Sequence, residues 1–245
     1  PDRLGAFGLT EDEDILICAF SFGFALYNYQ TQKLSNKIEV ESQHPSTRMN
    51  DGRLDPQGRF WAGSMIENSA VGPLTGASLY SIEAGIVKKH ISNIRISNGL
   101  AWSVNGEHMF FADTPTQNII RYDFNQINGS ISNKSIFAHL PEGAYPDGAT
   151  MDSANSLWCA LWGSGAVIRY DSQGQVSHEL KLPASQPTCV TFGGDDMDII
   201  FVTTAREGLT KQELDKQPEA GNLFIFKSDV KGVNRDHYYK IKRAQ

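Results

Sequence analysis

Short apolar runs alternate with polar, glycine-bearing stretches along most of the chain. Runs such as ILICAF, LWCAL and IIFV have the length of buried β-strands. Others, such as NIIRYDF and AVIRYD, alternate apolar and polar residues, which is typical of half-buried strands. The best helical candidate, residues 208–221, is polar and interrupted by Pro218, so it predicts a surface loop or a single helical turn. The pattern therefore predicts an all-β fold.

A turn, a short apolar strand, a polar turn and a second apolar strand recur along the chain as one unit. The five copies begin with RLGAFG at Arg3, NDGRLD at Asn50, SNGLAW at Ser97, PDGATM at Pro146 and PTCVTF at Pro187. The glycines at positions 5, 52, 99 and 148 are separated by 47, 47 and 49 residues. A period of about 40 to 50 residues with about four strands is typical of β-propeller blades. We expect one propeller domain over residues 1–245.

Three polar residues, Asp51, Asn98 and Asp147, each come directly before a glycine of the repeat. The first strands of propeller blades line the central channel, so equivalent residues are expected to meet at one mouth of it. Two carboxylates and an amide that converge in a narrow channel favour a hard divalent cation between them. The alternative is that these residues only form Asx-Gly turns, which are common hairpin chemistry. Recurrence at one repeat position favours the cation site.

Composition and charge narrow the classes of function. A net charge of −6 and a pI near 5.5 disfavour a nucleic-acid binder, which needs clustered positive charge. The sequence has no apolar run of about 18 residues and no signal segment, so we expect no membrane association. The three cysteines, Cys18, Cys159 and Cys189, have neither ligand nor disulfide spacing and lie among apolar residues. We expect buried thiols and a reducing, cytoplasmic compartment.

Four long segments of the chain resemble the SMP-30/gluconolactonase/regucalcin family. They are NDGRLDPQGRFWAGSM, SNGLAWSVNGEHMFFAD, PDGATMDSANSLWCALWGSGAVIRYD and PTCVTFGGDDMDIIFVTTAREGL, in the family's order and with similar spacing. The resemblance implies a six-bladed β-propeller with one divalent metal near the mouth of its channel, commonly a sugar lactonase. Because the chain starts inside a unit and contains only five, we expect the N-terminal blade to be missing or incomplete.

The resemblance also implies roles for individual residues. It assigns metal binding to Asn98 and Asp147, and contacts to substrate or to a metal-bound water to Arg48 and Asn50. The family's third protein ligand is a Glu in a Gly-Glu-Gly-Pro turn, and this sequence has no such turn. We therefore expect a site with two protein ligands that relies on water and substrate for the rest.

Two more acidic residues are candidates for the reaction. Asp51 matches the second Asp of the mouth, so either Asp147 or Asp51 would accept the proton of the attacking water, and the sequence leaves both open. Glu67, just past the strand FWAGSM, is a candidate for binding a sugar hydroxyl, with a solvated loop carboxylate as its alternative.

These residues and the resemblance predict a metal-dependent sugar lactonase whose substrate is a small-molecule aldonolactone. One divalent ion, Ca²⁺, Zn²⁺, Mn²⁺ or Mg²⁺, would polarise the lactone carbonyl. One alternative is a propeller that binds a divalent metal or a ligand without turnover, and another is a metal-dependent esterase or phosphotriesterase on the same scaffold. A serine hydrolase is disfavoured, because the sequence lacks a G-x-S-x-G elbow. The sequence makes no prediction of oligomeric state.

Overall fold

The computed structural model describes residues 2–44, 46–67, 75–233 and 237–241. These residues form five antiparallel sheets, with one short α-helix and one 3-10 turn. The predicted all-β class is confirmed. The chain divides into two compact units: unit 1 comprises residues 1–98, 126–130 and 235–245, and unit 2 comprises residues 99–125 and 131–234.

Unit 1 contains two four-stranded sheets in which strands consecutive in sequence are neighbours. The first sheet consists of β1 (Leu4–Leu9), β2 (Ile15–Phe20), β3 (Gly23–Asn28) and β4 (Lys33–Glu39). The second sheet consists of β5 (Thr47–Leu54), β6 (Phe60–Ile66), β7 (Ala77–Glu83) and β8 (Ile86–Ile94). The two sheets share one apolar core, in which Phe24 and Phe60 pack edge to face with ring centroids 6.0 Å apart. Tyr239 joins this core and donates its backbone N–H to the carbonyl of Leu9 at 2.9 Å.

Unit 2 contains most of a third sheet and all of a fourth and a fifth. The third sheet consists of β9 (Ser97–Trp102), β10 (His108–Asp113), β11 (Asn118–Phe124) and β12 (Ile131–His139), and the first two residues of β9 fall in unit 1. The fourth sheet consists of β13 (Tyr145–Met151), β14 (Leu157–Trp162), β15 (Ala166–Tyr170) and β16 (Val176–Lys181). The fifth has three strands, β17 (Pro187–Gly193), β18 (Ile199–Thr204) and β19 (Leu223–Lys227). Apolar clusters pack the fourth sheet against the third and against the fifth.

The described chain has five blades, and the predicted six-bladed propeller is wrong. Each sequence repeat supplies one sheet and begins with that sheet's first strand, so the number of repeats is the number of blades. The expectation of an incomplete N-terminal blade is also wrong for the first sheet, which has all four strands. The other three strands of this sheet, β2, β3 and β4, all follow β1 in the sequence.

The helical candidate forms α1 (Lys211–Lys216), a helix of six residues. Thr210 caps it, because its side chain accepts a hydrogen bond from the backbone N–H of Glu213. The Glu213 carboxylate accepts the backbone N–H of Thr210 in return, which completes a capping box. The prediction of a surface loop or a single helical turn is confirmed.

The cysteines differ in burial. Cys18 and Cys159 are buried, as predicted, while Cys189 is half-buried on β17. Burial raises the pKa of the Cys18 thiol to about 12, so this thiol is neutral and unreactive at neutral pH. No helix in the described ranges is long and apolar enough to cross a membrane.

Candidate functional site

The polar residues before the repeat glycines lie inside strands rather than in turns. Asn50 and Asp51 are part of β5, Asn98 is part of β9, and Asp147 is part of β13. The predicted Asx-Gly turns are therefore wrong at these positions. Asn, Asp and Gly are typical of turns, and the sequence pattern does not distinguish a turn from an irregular strand.

The irregularity is a β-bulge that recurs in the first strand of four sheets. Register shifts lie between Leu4/Ala6, Met49/Gly52, Pro146/Ala149 and Pro187/Cys189. An extra residue at a bulge re-aims its side chain out of the regular alternation of the strand, and bulges are common beside active sites. The bulges of β5 and β13 hold Asn50, Asp51 and Asp147, so these three candidate residues lie at irregular positions of their strands.

Close packing between neighbouring strands explains two of the repeat glycines. A Cβ on Gly5 would lie 2.5 Å from the carbonyl oxygen of Asn50, and one on Gly148 would lie 2.7 Å from Sγ of Cys189. Real Cβ atoms do not approach other atoms so closely, so only glycine fits at both positions. At these two positions, the repeated glycine therefore allows the first strands of two consecutive sheets to pack closely.

Within unit 1, four of the predicted site residues form one hydrogen-bonded chain. Arg48 donates from Nε to Oε1 of Glu67 at 2.9 Å and from Nη1 to Oδ1 of Asn50 at 3.2 Å. Asn50 donates from Nδ2 to Oδ1 of Asn98 at 3.1 Å and to the carbonyl of Ser97 at 2.9 Å. The sequence therefore identified residues that are neighbours in space although Arg48 and Asn98 lie in different repeats.

Exposure differs along this chain of contacts. The Asn98 side chain is buried, at 5 % exposed, whereas Arg48 and Glu67 are 23 % and 37 % exposed. Asn50 is half-buried between them and uses both ends of its carboxamide within the cluster. A buried amide, Asn98, and a half-buried amide, Asn50, therefore lie next to a partly exposed ion pair, which suits a site that binds small polar ligands from solvent.

Arg3 completes the cluster and was missed by the sequence reasoning. Its two terminal nitrogens donate to the two oxygens of the Glu67 carboxylate. These hydrogen bonds are the largest cause of a lowered Glu67 pKa, Arg48 lowers it further, and partial burial opposes both. Glu67 is therefore ionised at neutral pH. Arg3 begins the first repeat unit, but it lies outside the four segments that resemble the family and 64 residues from Glu67, so no local signal could have paired them.

Asp51 and Asp147 have different surroundings. Asp51 is half-buried on the bulge of β5 in unit 1. Asp147 is half-buried in unit 2, where Oγ1 of Thr114 donates to the carbonyl of the preceding Pro146 at 2.8 Å. Their roles in the reaction stay predictions.

The donor set tests whether a divalent metal fits this chain. Asn98 and Asp147 supply an amide oxygen and a carboxylate, which are the donors that hard divalent ions prefer. Oδ1 of Asn98 already accepts one hydrogen bond, from Asn50. Across the described ranges, no three His, Cys, Asp or Glu side chains lie together, and this count does not include amide ligands such as Asn98. The oxygen chemistry fits a hard cation, and further ligands would have to come from water or substrate.

Comparison with known proteins identifies the family. The model of the SMP-30/gluconolactonase/LRE-like region matches residues 1–206. The chain belongs to this family. This match confirms the resemblance seen in the sequence motifs.

Two of these relatives cover most of the chain. YvrE of Bacillus subtilis (strain 168), to which sugar lactone lactonase activity is ascribed, is 35 % identical over 223 residues, or 90 % of this chain and 75 % of YvrE. Regucalcin of Oryctolagus cuniculus is 36 % identical over 216 residues, or 86 % of this chain and 72 % of regucalcin. Among solved structures, the calcium-binding protein regucalcin from Agrobacterium tumefaciens strain C58 matches with a TM-score of 0.90 at 29 % identity, covering 100 % of this chain and 81 % of that one.

Proposed function

We propose that this protein hydrolyses the cyclic ester of a sugar lactone to the open aldonic acid in a metal-dependent reaction. The observation that carries the proposal is the hydrogen-bonded cluster of Arg48, Asn50, Glu67 and Asn98 within unit 1. Membership of the SMP-30/gluconolactonase family supports it, as does 35 % identity to a relative with ascribed sugar lactone lactonase activity.

Arg48 and Glu67 are suited to bind the sugar. The Arg48 guanidinium donates hydrogen bonds in a planar fork that matches hydroxyl and carboxylate oxygens. The Glu67 carboxylate, kept ionised by its two arginines, accepts hydrogen bonds from sugar hydroxyls. Asn50 holds the carboxamide of Asn98 in a fixed orientation, because it donates to Oδ1 of Asn98 while accepting from Arg48.

Asp147 or Asp51 would accept the proton of the attacking water. A half-buried carboxylate is a suitable general base, since its oxygens accept a proton from water within hydrogen-bond reach. Asn98 and Asp147 would hold the divalent ion, Ca²⁺, Zn²⁺, Mn²⁺ or Mg²⁺, which supplies Lewis-acid polarisation of the carbonyl when bound. Asp51 and Asp147 each lie at a register shift of their strand, and bulges of this kind are common beside active sites, which supports these two candidates.

The first test is hydrolysis of a panel of aldonolactones in a pH-stat after treatment with EDTA. The expected result is turnover restored by one of the four ions and abolished in Asp147→Ala, with the metal-loaded wild type as reference. Thermal unfolding of Asp147→Ala checks that the variant is folded. Failure of every lactone with every ion would overturn the proposal.

A second candidate is binding of a divalent metal or a ligand without turnover. Similarity to regucalcins, one of which is described as a calcium-binding protein, favours it. Isothermal titration with Ca²⁺ separates the two functions, because saturable binding without hydrolysis of any lactone supports binding alone. Profiling phosphotriesters and simple esters beside the lactones tests the third candidate, another hydrolase on the same scaffold.

The cellular location is also a proposal. We infer a reducing, cytoplasmic compartment, because Cys18, Cys159 and Cys189 are all free thiols in the structure.

A further inference from the structure

Arg3 holds Glu67 from a different sheet than Arg48 does. It comes directly before β1, and its backbone carbonyl is anchored by the N–H of Ser21 at 2.9 Å. Its side chain is 63 % exposed, yet both terminal nitrogens engage the carboxylate of Glu67, which lies just beyond β6. Glu67 therefore lies between two guanidinium groups that come from separate strands.

This arrangement carries an excess of positive charge in an acidic protein. Arg3 and Arg48 contribute two positive charges and the ionised Glu67 one negative charge, while the whole chain has a net charge of −6. Among the described residues, Arg48 uses Nε and Nη1 as donors, and its Nη2 donates to none of them. The Arg48 side chain is 23 % exposed, and a partly exposed guanidinium with N–H groups left to donate is a donor for an incoming anion.

The contact to Glu67 shows what these arginines recognise. Guanidinium groups bind carboxylates and phosphates through two parallel N–H···O bonds, and Arg3 makes this kind of contact with Glu67. Glu67 also lowers the repulsion between the two arginines, so they are held close together before any ligand arrives. An anionic group added beside Arg48 would balance the one net positive charge of these three side chains.

We propose that Arg3, Arg48 and Glu67 form an anion subsite, and that the protein prefers sugar lactones that carry a second, negatively charged group. This group is a carboxylate or a phosphate on the sugar, away from the ester that is cleaved. The inference rests on the proposed lactonase function, because it names the substrate class of the same site. Arg3 is then a positioning residue that determines specificity, because it adds positive charge to the subsite and holds Glu67 beside Arg48.

The test compares three lactones with wild type, Arg3→Gln and a control, Lys37→Gln. D-glucono-1,5-lactone is neutral, D-glucaro-1,4-lactone carries a carboxylate, and 6-phospho-D-glucono-1,5-lactone carries a phosphate. Lys37→Gln removes the same charge from unit 1 at an exposed pair with Glu39, outside the subsite. KM and kcat are measured for each pair of protein and substrate at low and high salt, and the two charged lactones distinguish the carboxylate from the phosphate.

We expect Arg3→Gln to raise KM about 5- to 10-fold for at least one charged lactone, with kcat nearly unchanged. That magnitude is typical of a partly exposed charge-assisted contact, and high salt should reduce it. The neutral lactone should be affected less than the charged lactones in Arg3→Gln, because Arg3 also holds Glu67 in place for the sugar, and Lys37→Gln should leave all three KM values unchanged. Arg3→Lys should recover part of the effect, because it keeps the charge but loses the planar fork. Equal changes for neutral and charged lactones would overturn the subsite and indicate a structural role for Arg3.

A binding measurement separates failure of this inference from failure of the lactonase proposal. Titration calorimetry with D-glucarate and D-gluconate needs no turnover. The subsite predicts tighter binding of the dianionic D-glucarate, and loss of that preference in Arg3→Gln. If no lactone is hydrolysed but this preference is found, the subsite stands and the lactonase proposal fails. If lactones are hydrolysed but the two acids bind equally, the subsite is refuted and the lactonase proposal stands.

Discussion

The β5–β6 hairpin carries an arginine–carboxylate pair at each end, and the two pairs differ in burial. At the turn, Arg59 and Asp55 are 5 % and 0 % exposed, with Nη1 3.0 Å from Oδ2. At the open end, Arg48 and Glu67 are 23 % and 37 % exposed, with Nε 2.9 Å from Oε1. The same chemistry therefore occurs in two environments on one hairpin.

The buried pair is surrounded by partners that satisfy it. Asp55 accepts the backbone N–H groups of Gln57 and Arg59, each at 2.9 Å, and the indole N–H of Trp61 at 3.0 Å. Nη2 of Arg59 donates to two backbone carbonyls at 2.9 and 2.8 Å. In the pair at the open end, called the open pair below, Glu67 also accepts a hydrogen bond from Arg3, and Arg48 has N–H groups left to donate. The buried pair therefore organises the hairpin, whereas the pair at the open end keeps contact with solvent.

The largest expected effect comes from breaking the buried pair. Asp55→Ala removes the acceptor of Nη1 of Arg59, of the Trp61 indole N–H and of two backbone N–H groups, which should lower the free energy of unfolding by about 3 to 5 kcal/mol. Urea denaturation followed by tryptophan fluorescence measures it. Asp196→Ala is the matched control: its 74 % exposed carboxylate pairs with Lys231, so a change within about 0.5 kcal/mol is expected. A loss below about 1 kcal/mol in Asp55→Ala would contradict the structural role.

Altering the open pair should affect activity more than stability. Arg48→Lys keeps the positive charge but removes the fork that joins Glu67 to Asn50. We expect kcat/KM for the best lactone to fall about 10- to 100-fold, which corresponds to about 1.4 to 2.7 kcal/mol of transition-state stabilisation. Parallel urea melts should show a smaller change in stability. If Arg48→Lys lost stability but kept its activity when folded, the Arg48–Glu67 pair would have a structural role like that of the Arg59–Asp55 pair.

A smaller effect is expected from the charge of Glu67 itself. Its pKa is lowered in the folded protein, chiefly by hydrogen bonds from Arg3, so ionised Glu67 stabilises the fold at pH values above its unfolded pKa. That contribution disappears as pH falls through the lower, folded-state pKa. The difference in unfolding free energy between wild type and Glu67→Gln should therefore be largest at neutral pH and shrink on acidification through this window. A difference that is constant with pH would show that the Glu67 charge contributes nothing.

The smallest effect completes the series with a fully exposed pair. Lys211 and Asp215 on α1 are 87 % and 63 % exposed and lie one helical turn apart. Lys211→Gln should change the free energy of unfolding by no more than about 0.5 kcal/mol. Thermal melts at low and high salt measure it, and a larger loss would show that exposure alone does not rank these pairs.

Part of the site could be predicted from the sequence because it repeats. Asn98 and Asp147 were identified by their register with the repeat glycines, and Arg48 and Asn50 by motif. Arg3 could not be found in this way, since its partner lies in another sheet and outside any repeat position.

A buried network was missed although the sequence carries a signal for it. Trp61 and Trp158 are both buried. Each also donates its indole N–H to an aspartate six residues earlier, Asp55 and Asp152, at 3.0 Å. The equal spacing in two repeats predicts that each tryptophan contacts the aspartate six residues earlier. The structure adds that each aspartate lies at a turn, where it also accepts backbone N–H groups.

The sequence by itself determined the all-β class, the five repeating units and most of the polar residues that gather in unit 1. It could do so because alternation of apolar residues and the period of the repeat are local properties of the chain. Only the tertiary structure decided that the Asn-Asp-Gly stretch is a bulge and that Arg3 holds Glu67. A turn and a bulge use the same residue types, and an ion pair between residues 64 apart depends on how the two sheets pack.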